Sequence, residues 1–325
     1  MYQINLSSIL GKLALGIILT IFNCCERDYV PSVITIPMTD LTLTTGKIGG
    51  FVTSDGGTQI LGRGVCWSTK ETPTISDNNK TDTYNTLGSF SIFATDLLSD
   101  QRYYYRAFAV NMKGVGYGEL LSFTSYLGIA SDIDGNVYNT IRIGSQIWMA
   151  QNLKARRFRN GDIIPNTIGN DQWANTISAA YCNFNNDESL GDIFGRLYNS
   201  YAIVDSRNIA PQGWHIPEEK EWQTLFSYLG GDTVAGGKMK ERGTQSWSEP
   251  NTGATNESNF TALPGGYRSF YDGSFYGFRY VGFWWSTTKW INTEYFVYSL
   301  EHESKKIYEL AWEINDGLSI RCLKD

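Results

Sequence analysis

The sequence predicts two domains, a small all-β sandwich followed by a larger α+β domain, and three observations carry that prediction. The 325 residues include 33 glycines, with 14% aromatic and only 18% charged side chains, a balance that suits β structure with many turns. Between residues 36 and 125 short strand-like runs recur between turn signals. Beyond residue 126 the texture shifts: nine of the ten tryptophans lie there, and an amphipathic helix pattern joins the strand-like runs. The length is ample for two domains of ordinary size.

At the N-terminus Lys12 precedes the apolar run LALGIILTIF, residues 13–22, which is followed by Asn23, Cys24 and Cys25. Ten apolar residues fall short of the ~20 that span a bilayer and fit a secretory h-region. A cysteine directly after that region resembles the lipobox of bacterial lipoproteins, although Asn23 stands where that pattern has a small residue. The resemblance implies a signal peptide over 1–23, lipidation of Cys24, a tether over 24–35, and an exported chain held to an outer membrane or cell surface by acyl chains. Cys66, Cys182 and Cys322 then remain, with no C-x-x-C pair among them. Cys66, in GVCWS, reads as a buried small hydrophobe. Cys182 and Cys322 are the candidate disulfide of an oxidising compartment, and the sequence leaves open whether their Cα atoms come within reach. A net charge of −6 without any basic run argues against a nucleic-acid partner, which would need clustered Lys and Arg.

The first domain, 36–125, contains KIGGFVTS (47–54), ILGRGVCWS (60–68), GSFSIFA (88–94) and YYYRAFAVN (103–111). The last alternates, with Tyr103, Tyr105, Ala107 and Ala109 on one face and Tyr104, Arg106, Phe108 and Val110 on the other. Leu97 followed six residues on by Tyr103, together with GRGVCWS, is similar to fibronectin type III-like domains of bacterial surface proteins. That resemblance implies a spacer or presentation domain, with the leucine packed below a tyrosine at the sheet corner.

The second domain, 127–325, carries in order G-N-x-Y (135–138), I-G-x-Q-x-W-M-A-x-N-L (143–153), Y-C (181–182), G-R-L-Y-N (195–199), G-W-H-x-P-x-x-x-E-W (213–222), A-L-P-G-G-Y-R (262–268), W-W-S (284–286) and S-x-R-C (319–322). This ordered set resembles the Fibrobacter succinogenes major paralogous domain, a family of secreted and surface bacterial proteins. Ala210 stands where the family usually has a cysteine. The G-W-H helix start and the SIRCL strand are further similar to C-type-lectin-like folds, which implies an α+β, C-type-lectin-like second domain. Formylglycine-generating relatives use a cysteine pair near the C-terminus, and only Cys322 is present here.

Within GWHIPEEKEW the residues account for a helix start. Pro217 suits the first turn, Glu218, Glu219 and Glu221 favour the positive end of the helix dipole, and Trp222, Leu225, Phe226 and Leu229 form one apolar stripe. Gly230 and Gly231 supply the left-handed stop. His215 precedes the helix, so it is expected to serve structure: H-E-x-x-H is absent, His302 lies in a charged run, and no G-x-S-x-G elbow occurs. No metal or other cofactor is expected, the one calcium candidate being the acidic loop with Asp187, Glu188 and Asp192, since Ca²⁺ takes roughly six to eight oxygens. The remaining functional candidate is an aromatic surface over 267–292. Aromatic faces stack on sugar rings while Asn, Asp and Arg bond hydroxyls, which nominates Tyr271, Asp272, Phe275, Tyr276, Arg279, Trp290 and Asn292 as ligand-binding residues. The function expected is therefore a lipid-anchored surface protein that binds glycan or a surface protein. The alternatives are a secreted hydrolase or modifying enzyme, and a subunit of a surface assembly joined through an exposed β edge.

Overall fold

A computed structural model describes residues 28–325; the signal peptide and Cys24 lie outside the described residues. Eight antiparallel strands build the first domain. One sheet contains β1 (Ser32–Thr39), β2 (Gly46–Ser54) and β5 (Gly88–Ala94); the other contains β4 (Asn78–Thr81), β3 (Gly62–Ser68), β6 (Arg102–Asn111) and β7 (Gly114–Tyr117), with β8 (Leu121–Thr124) also paired to β6. β1 begins inside the stretch expected to be a tether. Pro37 hides it from a strand reading, yet a strand at the edge of a sheet tolerates proline.

Of the two faces that the alternation separates on β6, the one with Tyr103, Tyr105, Ala107 and Ala109 turns inward, buried against Val52, Val65, Trp67 and Ile92. The Tyr103 hydroxyl accepts the Leu98 N–H at 3.0 Å, and Leu97 is buried in the same cluster. This is the tyrosine-corner geometry of immunoglobulin-type sandwiches, and the domain is fibronectin type III-like.

The second domain corrects the α+β, C-type-lectin-like expectation, because it is mostly β. A five-stranded sheet runs in the order β14 (Trp214–His215), β20 (Leu323–Lys324), β11 (Gln146–Met149), β10 (Val137–Ile143) and β9 (Gly128–Ser131). A three-stranded sheet contains β17 (Val281–Ile291), β18 (Glu294–Glu301) and β19 (Tyr308–Glu313). Two two-residue ladders add β12 (Tyr181–Cys182) with β13 (Leu197–Tyr198), and β15 (Tyr267–Arg268) with β16 (Phe275–Tyr276). The helices are single short pieces: α1 (Asn170–Ala174), α2 (Glu188–Phe194), α3 (Ser200–Ile203), α4 (Glu219–Tyr228) and α5 (Asp232–Met239). The expectation failed because its motif residues anchor loops and sheet edges rather than long helices. Among the described residues no helix is long and apolar enough to cross a membrane.

β17 explains the W-W-S motif. Successive strand residues point to opposite faces, and Trp284 and Trp285 are each buried in a different core. Trp285 joins Phe283, Tyr295 and Val297. Trp284 joins Trp148, Trp222, Trp247 and Tyr298. α4 forms as its residues dictate, with Trp222, Leu225 and Phe226 buried. It stops where Gly230 and Gly231 adopt φ of 103° and 90°, letting the Gly231 N–H reach the Phe226 carbonyl at 2.8 Å.

Long loops without ladder partners are held by buried cations. Arg321, fully buried, donates to the Met149 carbonyl at 3.1 Å, to the Asn152 side chain at 2.8 Å and to the Phe260 carbonyl. The Lys240 ammonium donates to the carbonyls of Thr252, Glu301 and Ser304 at 3.0, 3.0 and 2.8 Å. Each such bond satisfies a carbonyl that would otherwise be buried unpaired.

Candidate functional site

The best-formed aromatic surface grows from a third buried cation. Arg268 lies between the rings of Trp173 and Phe275, 4.7 Å from each. Its guanidinium donates to the carbonyls of Gly273 at 2.8 Å and Ile168 at 3.0 Å. Gly273 has φ of 67°, and a Cβ there would fall 2.3 Å from the Asn170 carbonyl oxygen, so only glycine lets the 269–274 loop lie down on α1. With its inner side fixed, the loop turns Phe270, Tyr271 and Asp272 outward; Tyr271 is 84% exposed.

Beside the loop, Tyr267 meets Tyr276 at 5.6 Å and Trp312 at 4.7 Å between ring centroids. The Tyr276 hydroxyl donates to Asp272 at 2.7 Å, a bond that holds the Asp272 carboxyl below the usual carboxylate range. A groove of about 260 Å³ opens here, walled by Tyr267, Phe270 and Trp312 and edged by Ser269, Glu294, Ala311, Glu313 and Asp316. Asp316 is only 5% exposed. Its Oδ1 accepts the Phe270 N–H at 3.0 Å, and burial pushes its carboxyl up to about 7.

The seven nominated residues do not form one surface. Tyr271, Asp272 and Tyr276 do not line the groove but adjoin it: Tyr276 packs on Tyr267, Asp272 accepts the Tyr276 hydroxyl, and Tyr271 meets Phe270. Phe275 packs inward, 5.2 Å from Phe184. Arg279 donates to the Thr244 carbonyl at 3.2 Å, away from the groove. Trp290 stands edge-on to Phe296 at 5.2 Å. Phe296 pairs with Ala311 while Tyr295 pairs with Trp312, so Trp290 occupies the sheet face opposite Trp312. Asn292 is exposed in the turn between β17 and β18. The sequence reading missed Tyr267, Phe270, Trp312 and Asp316. The first lies inside the A-L-P-G-G-Y-R motif, but nothing in the sequence ties it to residues 45 or more positions away.

The other candidates resolve separately. Cys182 and Cys322 are free, buried thiols in different clusters, so the candidate disulfide is absent; desolvation pushes Cys182 up to about 12. Asp187 caps α2 through the Ser189 N–H at 2.8 Å. Glu188 pairs with Arg156, and Asp192 lies 3.9 Å from Arg196. The calcium candidates thus face arginines, and among the described residues no group of three or more His, Cys, Asp or Glu is placed to hold a metal.

His215 lies between two carboxylates at the start of α4. Its Nδ1 lies 2.8 Å from Asp325 and its Nε2 2.9 Å from Glu221, whose carboxylate also accepts the Glu218 N–H at 2.9 Å. A recess of about 450 Å³ lies alongside, lined by Asp205, Glu218 and Thr287 among others. Burial disfavours the imidazolium, but the bonds to Asp325 and Glu221 outweigh it, so the pKa is raised. A ring donating from both nitrogens has no free lone pair, and carboxylates on opposite ring edges do not converge on one cation.

The architecture is that of a two-domain, mostly β chain whose second domain is built on buried Arg and Trp anchors. Residues 141–324, more than half of the chain, match the Fibrobacter succinogenes major domain, and the chain belongs to that family. Among solved structures it is similar to a fibronectin type III domain of human collagen XX, at 18% identity and a TM-score of 0.24, covering 30% of this chain and 94% of that one. It is also similar to the sensor domain of an anti-sigma factor from Pseudobacteroides cellulosolvens, at 15% identity and a TM-score of 0.23, covering 30% and 89%. No curated protein matches the chain.

Proposed function

We propose that the chain is an exported surface protein, lipid-anchored through Cys24, whose second domain binds glycan in the groove between Tyr267, Phe270 and Trp312. The observation that carries this reading is the groove itself: three aromatic rings with hydrogen-bonding acids at their edge, set on a loop that Arg268 and Gly273 immobilise. Flat rings supply stacking area and carboxylates accept sugar hydroxyls. The fibronectin type III-like domain would hold the module away from the membrane.

Glycan-array binding tests the reading. The full chain should bind at least one glycan, Tyr271→Ala and Tyr276→Ala should weaken it, and Trp290→Ala should not. No binding to any glycan sinks it. Radiolabelled palmitate should enter the wild-type chain and not Cys24→Ala.

The His215 recess favours a second reading, a hydrolase working by acid–base chemistry. Turnover of a glycan, abolished by His215→Ala and retained by Tyr276→Ala, would select it over the binding module.

A further inference from the structure

The groove has a charge character that its glycan reading does not require. Its acidic members are Glu294, Glu313 and Asp316, and no Lys, Arg or His lines it. Asp316 is more than nine-tenths buried at the groove. One carboxyl oxygen accepts the Phe270 N–H. Aromatic rings beside a buried carboxyl form the surroundings that favour an organic cation, since ring faces are electron-rich and attract ammonium groups. The same acids repel a uronic acid, a sialic acid or a sulfated sugar.

We infer that the groove selects a glycan bearing an ammonium substituent, the cation seated in the groove beside Phe270, Trp312 and Asp316. This rests on the glycan-binding reading and adds its substrate class. Phe270 and Tyr271, whose rings meet at 6.5 Å, continue the aromatic surface along the rim and offer stacking to a neighbouring sugar. The volume of about 260 Å³ accommodates an alkylammonium head, with the sugar outside.

Calorimetric titration of the full chain with a glucosamine hexamer, its fully N-acetylated counterpart and a neutral glucan hexamer tests the inference. The titration is repeated in buffers from about pH 5.5 to about pH 7.5, because burial pushes the Asp316 carboxyl up to about 7 while the oligomer's amines lose their charge as pH rises. The free-amine oligomer should bind about tenfold more tightly than the other two. Asp316→Asn, and separately Glu313→Gln, should weaken the free-amine oligomer more than the neutral one and so shrink that preference. An unchanged near-ultraviolet spectrum and melting temperature show that the variants are folded. Choline as a competitor distinguishes the ammonium from its sugar: displacement by choline alone assigns the selectivity to the cation. Equal affinity for all three oligomers, or tighter binding of a uronic-acid oligomer, overturns the inference and leaves the glycan reading standing. Absence of binding by every oligomer and by choline overturns both.

Discussion

The two domains satisfy their buried polar backbone in different ways. In the fibronectin type III-like domain, ladders between neighbouring strands do most of the work, and β6 alone pairs with β3, β7 and β8. In the second domain several ladders are only two residues long, and Arg268, Arg321 and Lys240 collect loop carbonyls instead. Ladder bonds are many and individually modest, on the order of 1 kcal/mol net. A buried cation concentrates several bonds in one side chain, and its removal leaves all of its partners stranded at once. Substitutions at such cations should therefore be the damaging ones, and most of those named lie in the second domain; Arg63, which collects the Thr86, Leu87 and Gly88 carbonyls beside its pair with Asp82, is a counterpart in the sandwich.

The sharpest test is Arg321→Met. The aliphatic replacement fills part of the space but strands the Met149 and Phe260 carbonyls and leaves Asn152 Oδ1 with only the Trp284 indole N–H. The expected loss is about 3–5 kcal/mol. It should lower the denaturation midpoint of the second domain, followed by tryptophan fluorescence, because nine of the ten tryptophans report on it. Circular dichroism should still show a later transition from the sandwich. One merged transition, shifted as a whole, would mean that the domains unfold together and that the contrast has no energetic content.

Arg268→Met should cost less, about 2–3 kcal/mol, because only its bonds to the Gly273 and Thr167 carbonyls are buried, while those to the Ile168 carbonyl and Asn170 side chain are partly buried and water can replace them. Its larger signature is local: hydrogen exchange over 269–274 should quicken, and glycan binding should weaken along with it. In the sandwich, Tyr103→Phe removes one bond, to the Leu98 N–H at 3.0 Å, and keeps the ring in its core. About 1 kcal/mol is expected, confined to the sandwich transition. A loss matching that of Arg321→Met would reverse the ranking of the two domains.

The contrast also explains what the sequence disclosed. Period-two alternation separated the two faces of β6, and the resemblance of the Leu97–Tyr103 stretch to fibronectin type III-like domains implied the corner. α4 was equally legible from its proline, stripe and paired glycines. The groove was not. Which face Trp290 presents depends on register shifts between Trp285 and Lys289 and between Lys289 and Ile291, and a bulge reverses parity without leaving a clear mark in the sequence. Burial of Arg268 and Arg321 was also hidden, since arginine's usual place is the surface. Of the two acids that meet His215, Glu221 lies in the same motif, while Asp325 is 110 positions away and was hidden.

That pair supplies the smallest expected effect, and its sign is fixed by the raised pKa of His215. The folded state holds the proton more tightly than the unfolded chain, whose histidine titrates near 6.5. The contribution is fully present below that value and fades as pH rises through the higher folded pKa. His215 is about a third exposed, so solvent screening keeps the effect to a fraction of a kcal/mol. The melting temperature of the second domain should fall slightly between about pH 5.5 and pH 8, and the His215→Gln difference should narrow over the same interval. The paired contact joins β14 to the first turn of α4 and to Asp325, so the sandwich transition should not respond. A difference that instead widened with rising pH would mean that neutral His215 is the stabilising form, and the two carboxylates would then not be its partners in solution.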